Sequence, residues 1–350
     1  MKTRIHIAVA LLAGLLLAGC GSGLKADEPG GEEPQKVRLN IRVAVADDAP
    51  VRGTRAGDAE AASDDERMRT LRVVVVRPDG TVEANRFVRL TAAVLTYGCE
   101  PIEVRANEQK RIYLLANEEK TRLTDGATAV ADTWALFDGL RAGTTFPQTR
   151  IEGLTIGLDG ASQQLAGPLP MNECHTVEVG DEDQEIDLFV TRAAVKFTFR
   201  IRSASDASLT GLAIEKMAPR AYYLPRAEYD AQQHVDSYEV PQGDTYYRFE
   251  LAEAKLPVRL EAAKTVELEP IYLLEGKYND PQAPAGKSSY RISLDLDGRD
   301  DLLTGYLDNL PALPRNTHAV VTITIGDGKP SFTVDVLPYG EVVLEPGFGI

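Results

Sequence analysis

The sequence is poor in the residues from which most catalytic and metal sites are built. Its 350 residues include only three cysteines, four histidines and one tryptophan. This scarcity argues against zinc-binding and disulfide-rich folds. No Ser-His-Asp, Cys-His or zinc-ligand spacing occurs, because His175, His234 and His318 lie far apart along the chain. We therefore expect no enzyme activity, no catalytic residues, no metal and no cofactor.

Positive charge is also scarce. The chain has 38 basic and 53 acidic residues, a formal net charge of −15. A chain this acidic repels phosphate backbones, which argues against nucleic-acid binding. With 43% hydrophobic and 26% charged residues, the composition is that of a folded protein rather than a disordered, collagen-like or coiled-coil chain. Its length suggests two domains.

The first twenty residues have the pattern of an export signal. A short basic stretch precedes an apolar core at residues 5–17, which is too short to span a membrane as a stable helix. The core ends in the letters LAGC, similar to the box that precedes the lipidated cysteine of bacterial lipoproteins. We expect a signal peptide at residues 1–19, a lipid such as palmitate on Cys20 and a flexible leash over 20–36. An ordinary signal peptide with an incidental cysteine is the alternative.

Two cysteines remain after Cys20. In an oxidising compartment Cys99 and Cys174 could form a disulfide. Two buried free thiols are the alternative.

Alternation with a period of two dominates the remaining sequence. Apolar residues at every second position predict a half-buried first strand over residues 37–46. Those apolar residues are Val37, Leu39, Ile41, Val43 and Val45. Further strands are predicted at residues 71–76, 111–116, 151–156, 186–190, 195–201, 209–216, 265–274, 290–296, 319–325 and 332–337. Short helices are predicted at 129–140, with Trp134 in the core, and at 226–233.

Strands that recur without long helices between them predict an all-β fold of tandem β-sandwiches. An acidic turn near residue 182 marks the predicted boundary between them. The N-terminal sandwich is expected to span residues 37–185 and the C-terminal sandwich residues 186–350.

One long polar segment, residues 47–70, interrupts the strand pattern. Small residues surround Arg55 in it, and such exposed loops are where proteases cut. One interpretation is processing between Arg55 and Ala56 by an arginine-specific protease, with Arg52 as the second choice. A mobile hairpin loop with solvated arginines is the alternative.

Five short segments, spread over the chain behind the lipidation box, together resemble the fimbrillins of Bacteroidales, the subunits of the type V pilus. They are DERMRTLRVVVV at 65–76, RIYLLAN at 111–117, LPM at 169–171, TRAAVKF at 191–197 and PRNTH at 314–318.

The resemblance implies two transthyretin-like β-sandwich domains and a maturation pathway. The precursor is attached to the outer membrane by its lipid, and cleavage after an arginine removes the leash together with the first strand. The matured subunit then joins an extracellular fimbrium. Its partners would be the maturation protease and other fimbrial subunits, which bind by β-strand addition.

The resemblance also implies a donor strand at the C-terminus. Its apolar residues would be Phe332, Val334, Val336, Val342 and Leu344. The alternative is that these residues form the last strand of the second sandwich and a short packed tail, since Pro346 and Gly347 interrupt the pattern.

The expected function is therefore a structural subunit of a type V fimbria that serves cell adhesion. Two alternatives stay open at this point. One is an uncut anchor subunit that keeps its lipid, and the other is a surface carbohydrate-binding β-sandwich lipoprotein. The second would use exposed tyrosines at 222–223 and 246–247 to stack sugars.

Overall fold

The architecture is all-β, as the sequence predicts. The computed structural model describes residues 34–46, 63–158, 164–229, 235–278, 290–307, 312–326 and 331–337. The predicted signal peptide, lipidation residue Cys20, processing residues Arg52, Arg55 and Ala56, and donor residues Val342 and Leu344 lie outside these described residues.

Eleven strands and two short α-helices lie in the described residues of the first half of the chain. The strands are β1 (Lys36–Val45), β2 (Met68–Val76), β3 (Val82–Val94), β4 (Thr96–Gly98), β5 (Ile102–Arg105), β6 (Glu108–Ala116), β7 (Leu123–Asp125), β8 (Thr128–Ala129), β9 (Thr155–Gly157), β10 (Met171–Val179) and β11 (Gln184–Arg192). The helices are α1 (Thr133–Asp138) and α2 (Gln148–Gly153).

The second half is built from strands and short turns among its described residues. Its strands are β12 (Val195–Ser203), β13 (Ala207–Met217), β14 (Arg220–Tyr222), β15 (Ala227–Tyr229), β16 (Val235–Tyr238), β17 (Tyr247–Glu250), β18 (Val258–Leu260), β19 (Thr265–Glu267), β20 (Ile271–Leu273), β21 (Arg291–Leu296), β22 (Leu303–Tyr306), β23 (Thr317–Ile325) and β24 (Ser331–Leu337).

The N-terminal sheet folds over on itself around one core. Its strand order is β3-β2-β6-β10-β11-β1-β4, and β5 also pairs with β1. Strand β11 joins the two halves, because Gln184–Val190 pair in parallel with β1 whereas Thr191 and Arg192 pair with β10. Buried side chains of β1, β2, β5, β6 and β10 meet in this first core.

A second core covers the other face of β2 and β6. Val74 and Tyr113 on these strands pack with Phe137 of α1 and Ile151 of α2. Strand β2 is therefore buried on both faces, as its run of valines predicts. The small sheet β14-β9-β7-β8 contributes Leu123 and other residues to the same core.

The C-terminal half forms a second sandwich. One sheet has the order β19-β12-β23-β24 with β20 also on β12, and the other has the order β17-β13-β21-β22 with β18 also on β13. Phe199 and Ile201 of β12 and Leu212 and Ile214 of β13 are buried in the core between them. The core residues of β12 are Val195, Phe197, Phe199 and Ile201, and this alternation is the pattern from which the strand was predicted.

The predicted strand at residues 151–156 is wrong in its first half. Helix α2 occupies Gln148–Gly153, and only Thr155–Gly157 form a strand. Pro147 is the N-cap of α2, where the missing N–H of proline costs no helical hydrogen bond, and its carbonyl oxygen accepts from the Ile151 N–H at 3.0 Å. Ile151 is buried in either conformation, so burial alone did not distinguish them.

The predicted helices are also corrected. The helix at 129–140 is shorter, Thr133–Asp138, and Trp134 is 38% exposed rather than in the core. The face of α1 that carries Thr133 and Phe137 points inward, so the adjacent residue lies on the outer side. In the second predicted helix, 226–233, residues 227–229 instead form β15.

The predicted domain boundary between residues 185 and 186 falls inside a strand. Strand β11 continues through it to Arg192 and belongs to the N-terminal sheet along its whole length. Two residues separate it from β12, the first strand of the second sandwich. The strong acidic turn therefore lies before β11 rather than between the sandwiches.

Candidate functional site

The first strand has one fully apolar face in the described structure. All five of its predicted inward residues are buried and belong to the first core: Val37, Leu39, Ile41, Val43 and Val45. The intervening residues of β1 are exposed or partly exposed. The period-two prediction is therefore confirmed residue by residue along this strand.

Strand β1 lies inside the sheet, with neighbours on both sides. On one side Leu39–Val45 pair in parallel with β11. On the other side Lys36–Leu39 pair with β5 and Arg42–Ala44 pair with β4. Removal of β1 would therefore leave an apolar groove with two open rows of backbone N–H and C=O groups.

The outer face of β1 carries polar contacts to its parallel neighbour. The guanidinium of Arg42 makes two hydrogen bonds of 2.7 Å to the carboxylate of Asp187. This hydrogen-bonded carboxylate raises the pKa of Arg42. The backbone N–H of Arg38 donates to Asp183 at 2.8 Å. These contacts are exposed to solvent and so contribute little to the stability of the strand.

The C-terminal end of β1 is held by one buried and one half-buried polar side chain. The carbonyl oxygen of Ala46 accepts a hydrogen bond from Nδ2 of Asn316 at 2.6 Å and from Nη1 of Arg192 at 3.3 Å. Arg192 ends β11 and is fully buried, and Asn316 directly precedes β23. The side chains of these two residues also contact each other, since Arg192 Nη1 donates to Asn316 Oδ1 at 3.2 Å.

The same arginine also contacts the segment that follows residues 47–62. Its Nε donates to the carbonyl oxygen of Glu66 at 3.0 Å. The buried carboxylate of Glu66 lies 2.8 Å from the Lys196 ammonium and accepts from the Tyr272 hydroxyl at 2.9 Å. Burial, and to a lesser degree this carboxylate, raise the pKa of Tyr272, which keeps its proton for donation. The Ser63 N–H donates to the other carboxylate oxygen at 2.8 Å.

Asn117 brings the other two quoted segments, 111–117 and 169–171, to the same turn. With φ of +58° it lies in the left-handed region, which asparagine tolerates better than most residues. Its side chain accepts from the Arg69 N–H at 2.8 Å and donates to the carbonyl oxygens of Leu169 at 2.8 Å and Arg67 at 3.0 Å. The segments that carried the resemblance therefore meet at one junction.

The predicted donor residues that the structure describes belong to a strand of their own sandwich. Strand β24, which contains Phe332, Val334 and Val336, pairs antiparallel with β23 and ends that sheet. This is the arrangement that the sequence left open as the alternative.

Of the two alternatives left open for the cysteines, the structure has the free thiols and not the disulfide. Cys99 and Cys174 are both free thiols. Cys99 packs against the first core and Cys174 against the second, on opposite faces of the sheet. Burial raises the pKa of each thiol to about 11, so both are protonated near neutral pH.

The tyrosine pairs do not form a common ligand platform. Tyr223 is fully buried in the second core, and Tyr247 packs against the core of the C-terminal sandwich. The ring of Tyr222 is covered by the Arg226 guanidinium at 3.7 Å. These three tyrosines therefore pack against other parts of the protein, and their positions give no support to sugar stacking.

Within the described ranges, no group of three or more His, Cys, Asp or Glu side chains is placed to hold a metal ion. Over the same part of the chain, no helix combines the length and apolar character needed to cross a membrane.

Comparison with known proteins identifies the fold. No family model matches the sequence, and no curated protein matches it either. Among solved structures, the tip fimbrial protein Mfa3 from Porphyromonas gingivalis, with a C-terminal truncation, is 13% identical, with a TM-score of 0.55 over 87% of this chain and 99% of that chain.

Two further structures, each described as a "putative cell adhesion protein", have the same fold. The one from Parabacteroides distasonis is 14% identical, with a TM-score of 0.56 over 87% of this chain and 98% of that one. The one from Bacteroides eggerthii is 11% identical, with a TM-score of 0.52 over 87% and 96%. At the level of the fold, the resemblance to Bacteroidales fimbrial proteins is confirmed.

Proposed function

We propose that the chain is a structural subunit of a type V fimbria that functions in cell adhesion. Two observations support this function. The chain has the fold of a C-terminally truncated tip fimbrial protein over 99% of that truncated chain. Its first strand, which lies directly before residues 47–62, fills an apolar groove.

The position of β1 carries the mechanistic part of the proposal. Five buried apolar side chains, at roughly 1.5 to 3 kcal/mol each, would leave a groove that only another strand can fill. Because β1 has hydrogen-bonded neighbours on both sides, the incoming strand would satisfy two rows of backbone groups at once. Assembly then proceeds by β-strand addition from another subunit, and the uncut precursor is protected by its own strand.

The remaining steps rest on the sequence. Lipidation at Cys20 attaches the precursor to the outer membrane, and cleavage after Arg55 removes the lipid together with β1. One cut thus releases the subunit from the membrane and opens its groove. The donor is the C-terminal segment, either β24 itself or the chain beyond it that contains Val342 and Leu344.

The N-terminal residue of the protein recovered from the surface of its own cells tests this function. Ala56 as the new N-terminus is the expected result. Arg55→Ala should block cleavage and assembly, whereas the matched variant Arg52→Ala should leave both intact. A lipid-modified Cys20 as the only N-terminus would exclude a polymerising subunit and indicate an uncut anchor.

A chain that stops after Leu337 tests the donor. Strand β24 is complete in this variant, so the second sandwich keeps its sheet. If the segment beyond residue 337 is the donor, the truncated subunit is cleaved normally but does not polymerise. Normal polymerisation would assign the donor to β24 itself or to another part of the chain.

A further inference from the structure

The end of β1 is fixed by residues that lie far from it in sequence. Its last carbonyl group, that of Ala46, receives hydrogen bonds from two side chains, Asn316 and Arg192. Apart from the exposed bonds to the Asp183 and Asp187 carboxylates, the contacts that pair β1 with its neighbouring strands are repeating backbone ladder bonds, which a strand of any sequence can make. These two side chains instead mark a single position, one residue beyond the last buried valine.

Arg192 contacts both the segment before residues 47–62 and the segment after them. Its Nη1 donates to the Ala46 carbonyl before this segment, and its Nε donates to the Glu66 carbonyl after it. The arginine is fully buried, so these charge-assisted bonds are shielded from water. The segments on either side of the predicted cleavage site are therefore hydrogen-bonded to the same guanidinium.

Asn316 is held in the geometry that this contact needs. Its φ is +59°, a left-handed conformation that asparagine and glycine adopt at low cost. Its backbone N–H donates to the Ala194 carbonyl at 2.8 Å, and its side-chain oxygen accepts from Arg192. With its oxygen engaged by the arginine, the amide nitrogen is directed to Ala46.

We propose that Arg192 and Asn316 form a latch that fixes the C-terminal end and the register of the strand lying in the N-terminal groove. The second sandwich, which supplies Asn316, thereby controls how readily β1 leaves. A replacement strand makes the same contacts only if it presents a backbone carbonyl at the position of Ala46. The latch is a property of the uncut chain, and its role in assembly rests on the proposed function.

Hydrogen exchange in the full uncut chain tests the latch directly. The amides of Val45 and Ala46, which donate to Leu95 and Val190, report the opening of the strand end. Asn316→Gly removes the side chain but keeps the positive φ. Asn316→Asp keeps an acceptor for Arg192 but loses the donor to Ala46. Both variants should exchange these two amides about tenfold faster than the wild type.

Asp187→Asn is the matched control. It weakens another contact to β1, the exposed pair with Arg42, whose side chains are 64% and 71% accessible. Exchange at the strand end should stay within about twofold of the wild type, because exposed ion pairs contribute little. Amides of β12 around Phe199 serve as an internal reference for global stability, since their exchange should not change in any variant.

A second arm measures release. With a protease recognition sequence inserted between residues 47 and 62, the cut chain should lose the β1 peptide about tenfold faster in either Asn316 variant, as followed by mass spectrometry of the folded fraction. If β1 stays bound in the cut wild type and does not exchange with labelled peptide, the proposed function fails while hydrogen exchange still judges the latch.

The latch is overturned by any of three results in the exchange experiment. One is unchanged exchange at Val45 and Ala46 in both Asn316 variants. Another is acceleration in Asn316→Gly but not in Asn316→Asp, since donation to Ala46 would then not matter. The third is an equal acceleration at the Phe199 reference, which would show general destabilisation only.

Discussion

The side-chain nitrogen of Asn316 lies 2.6 Å from the carbonyl oxygen of Ala46, although 270 positions separate the two residues. Ala46 directly follows β1, and Asn316 directly precedes β23, the central strand of one sheet of the second sandwich. Strand β11 brings them together, because it runs beside β1 and ends in Arg192, which contacts both. The N-terminal groove and the C-terminal sandwich therefore share one polar junction.

Truncation of the inward face of β1 should destabilise the whole chain. Leu39 is fully buried in the first core, so Leu39→Ala should lower the free energy of unfolding by about 2 to 5 kcal/mol. Arg38→Ala, on the exposed face of the same strand, should change it by less than about 0.5 kcal/mol. Denaturant unfolding measures both, and equal effects would show that β1 does not fill a groove.

Two neighbouring glutamates should differ strongly in their contribution to stability. The Glu118 carboxylate accepts three hydrogen bonds from the buried Arg72 guanidinium, whereas Glu119 pairs with the exposed Arg89. Glu118→Gln should cost about 3 kcal/mol, because the buried Arg72 guanidinium loses its closer carboxylate partner and keeps only the partly exposed Asp138 at 3.6 Å. Glu119→Gln should cost less than about 1 kcal/mol. Thermal unfolding compares the two, and similar midpoints would contradict the burial difference.

Acid should weaken the N-terminal sheet through Glu108. Hydrogen bonds from Arg77, and then those from Lys110, lower the pKa of this carboxyl from 4.5 to about 2. Because the folded-state pKa is depressed, the added stability is present above about pH 4.5 and is lost as the pH falls towards 2.

Replacement of this group should remove part of the acid sensitivity. Glu108→Gln should flatten the loss of stability between pH 4.5 and 2 by about 1 kcal/mol, a value reduced from the full shift because solvent screens the group. Glu103→Gln, at an exposed position of β5, is the control and should retain the wild-type profile. Identical profiles for both variants would remove Glu108 as the cause.

The two aromatic residues of α1 should behave differently. Phe137 is fully buried and stacks on Tyr223 at 5.7 Å, so Phe137→Ala should cost about 3 to 5 kcal/mol. Trp134 is 38% exposed and meets only the edge of Phe87 among the aromatic rings of the described residues, so Trp134→Ala should cost about 1 kcal/mol or less. Chemical denaturation measures both variants, and a larger loss of unfolding free energy for Trp134→Ala would show that Trp134 is a core residue.

Local patterns predicted most strands correctly. In β1 and β12 the alternation of apolar side chains follows directly from the period of the strand, so it is visible in sequence and confirmed in the structure. At residues 151–156 and 226–233 the patterns were short enough to fit either a helix or a strand. Residues outside such short patterns help to separate helix from strand, as Pro147 does at the N-terminus of α2.

The candidate site was predicted only in part. Burial of Leu39 and its companions on β1 could be foreseen from sequence. The contacts of Arg192 could not, although TRAAVKF and PRNTH were singled out as motifs. The two motifs become neighbours only through the folding of the chain, because 124 positions separate Arg192 from Asn316. The available sequence signal was an arginine among small and apolar residues, because an arginine that is buried there needs hydrogen-bond partners.

By itself, the sequence determined the all-β fold, the apolar face of the first strand and the scarcity of catalytic or metal-binding groups, because these follow from composition and from the two-residue period of extended chain. Only the tertiary structure decided that β1 lies between two neighbours, that Cys99 and Cys174 are on opposite faces, and that Ala46 is held from the second sandwich. Those relationships arise from long-range strand pairing, which local periodicity does not encode.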